Sequence, residues 1–185
     1  VADDTTDARW LDDREQSLEF DYLDLLDKAR ASAALVVCQQ IQQQWPYIAP
    51  AGKLSLSGDY SGALQAMAAI YTPVLDGFIA TVRSAILDVA GKSYLFGYYG
   101  GLWQLSQTLP AKLSTAIAIR TPNMPVIQAA ILAPWEGDDL AGRLAKLVVD
   151  MRYFLRRTVM QVMAEENELD DVLRRLAAAW DVHLT

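Results

Sequence analysis

Apolar residues recur at spacings of three and four along most of this chain, and strict alternation is almost absent. Over residues 15–44, Leu18, Tyr22, Leu25, Leu26, Ala29, Ala33, Val36, Val37, Gln40 and Ile41 follow a helical period. Pro46 and Pro50 are expected to stop that helix. The fragment Lys53-Leu-Ser-Leu-Ser57 alternates well enough for one short strand without a clear partner. Residues 60–71 form a second helix, and Pro73 either kinks it or opens the next, over 74–90, with Val74, Phe78, Val82, Ala85, Ile86 and Val89 on one face. Residues 111–120 suit a short helix, and Pro125 suits the start of another, over 126–132, closed by Pro134. The clearest helix spans residues 139–166, after Gly137 breaks the chain and Asp138 offers an N-cap. Its apolar stripe runs through Leu140, Leu144, Leu147, Met151, Leu155, Thr158 and Val162. Asn167 ends it, and a last helix over 172–180 turns Leu173, Leu176 and Trp180 inward. The pattern predicts a mainly α fold: an irregular bundle of six to eight helices, one of them a long C-terminal helix, with no substantial sheet.

Residues 91–109 do not fit a simple stripe. Gly91, Gly97, Gly100 and Gly101 lie among Tyr94, Phe96, Tyr98, Tyr99 and Trp103. Glycine costs about 1 kcal/mol per helical site relative to alanine, so a helix here depends on tertiary or partner contacts. Gly97 and Gly101 are four apart and would let another helix approach. The Gly-x-Gly-x-x-Gly spacing and a Walker lysine are both missing, so this is no phosphate loop. Trp10, Gly97, Tyr98, Tyr99, Gly101 and Trp103 are the candidate partner interface.

Charge divides the chain into three. The 185 residues carry a formal net charge of -7. Residues 1–30 hold ten acids and four bases, and residues 135–185 hold ten acids and seven bases, whereas residues 31–134 hold only three acids and five bases. The first 14 residues read as an acidic arm, and residues 15–185 as one helical domain. The central span, so poor in charge, is buried in its own core, against other subunits, or in lipid. Lipid is disfavoured: a spanning helix needs about 20 predominantly apolar residues, and the uncharged runs are broken by five glutamines between 39 and 44 or by glycines and Pro110.

Candidate chemistry is thin. One cysteine, Cys38, allows no internal disulfide, and with one histidine, His183, it leaves too few soft ligands for a finger-type zinc site. Cys38 has no second histidine to activate it and reads as a small core residue. The acidic pairs, such as Asp138-Asp139, Glu165-Glu166 and Asp170-Asp171, sit at helix ends and read as capping or solvated groups rather than a magnesium site. No catalytic, metal-binding or cofactor-binding residue is assigned, and no cofactor is expected. Arg152, Arg156 and Arg157 on the long helix are candidate phosphate contacts, with a solvated, ion-paired face as the plainer reading.

One segment carries a family likeness. Residues 126–144 include Trp135-Glu-Gly137-Asp-Asp-Leu140-Ala-Gly-Arg143-Leu, preceded by a short apolar helix and followed by a long one. This resembles phage minor head proteins of the head-morphogenesis (Mu F-like) family. The final helix, with Glu168-Leu-Asp-Asp-Val-Leu-Arg-Arg-Leu-Ala177, and the aromatic helix over 94–105 extend the resemblance to about residues 75–180. The turn at Trp135, Gly137, Leu140 and Arg143 is its most specific part. The resemblance implies a non-enzymatic virion component, made in a bacterial host and placed in the head near the portal vertex. Its implied partners are portal or major capsid subunits, with contact to DNA as a further expectation, in a multi-copy assembly without membrane. The family continues past its last helix into a further domain that begins near an Arg-Thr-Glu sequence; these 185 residues carry no such sequence, so they read either as a piece of a longer chain or as a chain from which that domain is cleaved or absent. The alternative is a helical targeting module of a larger protein whose enzymatic or toxin domain follows residue 185.

Overall fold

A computed structural model describes residues 4–56, 60–108, 122–134 and 139–182. They form helices α1 (Asp4–Ile48), α2 (Tyr60–Thr108), α3 (Met124–Leu132), α4 (Leu140–Ala164) and α5 (Leu169–Val182). The mainly α class holds, but the described residues contain five helices rather than six to eight. The expected helix over 111–120 lies outside the described residues.

Pro73 and the glycines of residues 91–101, none of which interrupts α2, account for the lower count together with the undescribed residues 109–121. Pro73 sits inside α2, which runs without a break through the stretches expected as three helices. Pro46, expected as a stop, sits inside α1. A proline removes the hydrogen bond to the carbonyl four residues back. Here those carbonyls belong to Gln42 and Ala69, both solvent-exposed, so water can take the vacated position. Packing holds the backbone on either side: Trp45, Ile48 and Ala49 are buried around Pro46, and Ile70, Tyr71 and Leu75 around Pro73. Ala49 N–H still bonds Trp45 O at 2.8 Å, and the helix ends before Pro50. Residues 4–14, expected as an arm, are helix continuous with the rest of α1.

The described chain divides into two compact units. One takes Val1–Leu25 with Arg83–Leu140, the other Leu26–Val82 with Ala141–Thr185. The second holds most of the core. Ala33, Val37, Ile41 and Trp45 form the buried stripe of α1, at steps of four. Met67, Ile70, Tyr71, Leu75 and Phe78 supply that of α2, and Met151, Leu155, Val159 and Val162 that of α4. Val172, Leu176 and Trp180 complete it from α5, with Trp180 1% exposed. In the other unit Ile127 of α3 is buried. Gly91 of α2 is buried there as well, and a β-carbon on it would lie 3.6 Å from Met124 Cε.

No strand forms over Lys53–Ser55. Instead a single antiparallel bridge pairs Lys53 with Glu168 in the α4–α5 turn. Leu54 N–H bonds Asn167 O at 3.2 Å, and the Leu54 side chain is 1% exposed. The missing partner of this fragment is therefore a helix-connecting turn, not another strand.

Candidate docking faces on α2 and α4

Glycine and aromatic residues share the second half of α2. Tyr94, Gly97, Tyr98, Gly101 and Leu105 follow the three-and-four spacing of one helix face. The rings of Tyr94 and Tyr98 stack with centroids 6.4 Å apart and planes 9° apart, and Tyr99 meets Tyr98 edge-on at 5.4 Å. Tyr94, Tyr99, Trp103 and Leu105 are all exposed. A β-carbon built on Gly97 or Gly101 meets no described atom within 4 Å, whereas one on Gly91 does. The buried glycine thus serves helix packing within the chain, and the other two border no described atom. Of the residues named from sequence, Gly97, Tyr98 and Gly101 share this face, Tyr99 and Trp103 lie on the other side of the half-helix, and the side chain of Trp10 lies outside the described residues.

Helix α4 is apolar on two sides. Leu144, Met151, Leu155, Val159 and Val162 are buried. On the opposite side Val149, Tyr153 and Met160 are exposed, with Arg156 and Arg157 between the last two. Leu56, also exposed, adds to this side, and an open groove of about 590 Å³ runs between Leu56, Tyr153, Arg156, Arg157, Met160 and Gln161. No carboxylate of the described residues lines it.

The three arginines proposed for phosphate do not act alike. Arg152 Nη2 donates to Asp76 Oδ1 at 2.7 Å, which neutralises it across α2 and α4. Arg156 and Arg157 make no ion pair with any described carboxylate. Arg156 also reaches the neighbourhood of Tyr71. Burial pushes the Tyr71 phenol up from its ordinary value, and the nearby positive charges of Arg156 and then Arg152 oppose that. In the turn singled out by the family likeness, Trp135, Gly137 and the expected cap Asp138 lie outside the described residues. Leu140 opens α4 half-buried, and Arg143 is exposed one turn later.

The α4–α5 turn ties the 53–55 segment down. Asn167 N–H bonds Val162 O and Glu166 N–H bonds Met163 O, both at 3.2 Å, the paired bonds of a Schellman cap. Glu166 takes the left-handed position with φ 52°, where glycine is usual. Its carboxylate accepts from Lys53 Nζ and from Ser55 Oγ. Lys53 is the main reason its pKa falls below the ordinary range. Glu165 is lowered too, chiefly by the Asn167 amide at 3.1 Å and then by Arg175 and Gln161. A recess of about 620 Å³ beside Tyr47, Pro50 and Gly62 includes Lys53 and Glu166, and their pairing consumes its charges.

Among the described residues no group of three or more His, Cys, Asp or Glu side chains is placed to hold a metal ion. Nor is any helix there long and apolar enough to cross a membrane. Cys38 is half-buried, its thiol 3.7 Å from Leu173 O and pushed up in pKa by desolvation. The α4 groove and the Glu166 turn were not foreseen from sequence. The groove had a signal, since Val149, Tyr153 and Met160 keep the same helical period on the far side of α4. The turn's place had one, the expected helix end at Asn167, but its left-handed residue had none, because Glu is a poor marker of left-handed backbone. No known protein family, curated protein or solved structure matches the chain.

Proposed function

We propose that this chain is a structural docking protein and not an enzyme: a minor head protein of a phage virion, seated near the portal vertex and assisting head assembly, DNA packaging or delivery. The observation that carries the docking role is the α2 face where Gly97 and Gly101 meet no described atom beside the exposed Tyr94 and Leu105. Two helix-destabilising glycines that relieve no crowding among the described residues are best used at the approach of a partner helix. An exposed tyrosine suits such a contact, giving large apolar area with few rotatable bonds. The virion setting rests on the likeness around Trp135, Gly137, Leu140 and Arg143 to the head-morphogenesis family. Portal or major capsid subunits are the partners this reading names.

Peptide mass spectrometry of purified virions, with pull-down of portal protein by the tagged chain, tests it. The expected result is the chain in virions at a fixed ratio to portal, with capture lost when Gly97→Leu and Gly101→Leu fill the face. Absence from virions together with failure to capture portal overturns it.

A further inference from the structure

Two surfaces of this molecule complement each other in both charge and apolarity. The first is the early part of α1. Among the described residues from 13 to 32 none is buried, although this stretch spans several helical turns. Phe20 is 70% exposed, and Leu23, three residues on, is exposed as well. Residues 13–25 carry five acids, Asp13, Glu15, Glu19, Asp21 and Asp24, against one base, Arg14. A helix of such length in water draws most of its stability from an apolar face packed on something else. The second is the α4 groove, where Arg156 and Arg157 lie between the exposed Tyr153 and Met160, without a described carboxylate to pair them. It offers positive charge set in apolar surface; the α1 stretch offers negative charge set around apolar side chains.

We propose that the α4 groove receives the 13–25 stretch of α1 from a second copy of this chain. Phe20 and Leu23 cover Tyr153, Met160 and Leu56, while Glu19 and Asp21 pair with Arg157 and Arg156. A nucleic-acid backbone would satisfy the two arginines but leave Tyr153 and Met160 against a charged ligand, so the observations favour an acidic, apolar helix over DNA. The two patches are different surfaces, which makes the contact heterologous: each copy both gives and receives, and the arrangement closes into a ring or runs on as a filament. This goes beyond the docking role proposed for α2 and needs no virion, so absence from virions leaves it standing.

Sedimentation equilibrium of the full chain from micromolar to near-millimolar concentration tests the contact directly. The expected result is a mass that climbs above the 20.5 kDa of one chain and falls back as salt screens the charges. Arg156→Glu with Arg157→Glu, and separately Glu19→Arg with Asp21→Arg, weaken association at least tenfold. Mixing the two variants restores it, because each supplies a surface opposite in charge to one on the other. All four positions are on helix surfaces, and a circular-dichroism melt verifies that each variant folds; the salt dependence of the unaltered chain reads the contact without any substitution. A chain that stays at one-copy mass throughout overturns the proposal. So does association that survives both reversals. Duplex DNA binding by a one-copy species, lost on Arg156→Glu with Arg157→Glu, assigns the groove to phosphate and overturns it equally.

Discussion

The ring of Phe78 on α2 meets that of Trp180 on α5 edge-on, with centroids 5.7 Å apart and planes at 89°. Both side chains are buried, at 4% and 1% exposure. Within the second unit this pair joins the end of α5 to α2, beyond the buried Val172 and Leu176. Trp180→Ala should lower stability by about 3–5 kcal/mol. A double-mutant cycle with Phe78→Ala should leave a coupling of about 0.5–1.5 kcal/mol. Trp180→Phe should cost much less, because the indole Nε1 is buried without a described acceptor and the phenyl ring leaves no orphaned donor. Denaturant titration followed by tryptophan fluorescence and circular dichroism measures all three.

Glu166 sits where the backbone prefers glycine, and its carboxylate holds Lys53 and Ser55. Its pKa and that of Glu165 are depressed from an ordinary 4.5. A depressed carboxylate contributes stability that is present above its unfolded value and is lost as pH falls through the folded one. The 53–55 segment should therefore stay fastened at neutral pH and loosen below about pH 4.5. Hydrogen exchange at the Leu54 amide, which bonds Asn167 O, reports this loosening. Glu166→Gln should raise that exchange at neutral pH and flatten its acid dependence. Glu166→Gly should relax the backbone yet still free Lys53, so that global stability and local protection move in opposite directions.

The glycines of α2 separate packing from docking. A β-carbon at Gly91 would make ordinary contact with Met124, and one at Gly97 or Gly101 meets no described atom. Gly→Ala at 97 and 101 should therefore raise helix stability by about 1 kcal/mol per site, read as an upward shift in the thermal midpoint. The same pair should weaken capture of the partner, which needs the close approach. A rise in stability with undiminished capture would move the docking face elsewhere.

Cys38 is half-buried with a raised pKa, for which desolvation is the cause. The thiolate is the reactive form. Alkylation of the native chain at pH 8 should be slower than that of the unfolded chain, and the gap should narrow only above the ordinary thiol value of 9.0. Rates followed by intact mass spectrometry decide it; equal rates would place the thiol in water.

Helical period made the class and the buried stripe of α4 readable, since Leu144, Met151, Leu155 and Val162 were placed on it from spacing alone. Helix ends were less readable. Pro46 and Pro73 carry the same local signal as a helix stop, and only the exposure of Gln42 and Ala69, with burial of Trp45 and Leu75 nearby, makes them tolerable inside a helix. Burial of that kind comes from residues distant in sequence. The same holds for Arg152: named from sequence as a candidate phosphate contact, it pairs with Asp76, 76 residues away. The α2 cluster was readable because glycine and aromatic residues are rarely mixed in a helix without a reason. The α4 groove was readable only on its helix side, from the period of Tyr153 and Met160; Leu56 is brought there by the 53–55 segment that Asn167 and Glu166 hold.

Each of the two compact units is assembled from separated stretches of chain, and the change from one to the other at residues 25–26 and 82–83 falls within α1 and then within α2. No single proteolytic cut can release either unit whole, and no one deletion endpoint can express one without a piece of the other. Synthesis on the ribosome meets the same geometry in time. Every stretch of the first unit has been made once residue 140 is added, while the second still lacks α5 and all but the first residue of α4. The stretch 26–82, with its apolar side chains, must wait until α4 and α5 have been made before its core can close.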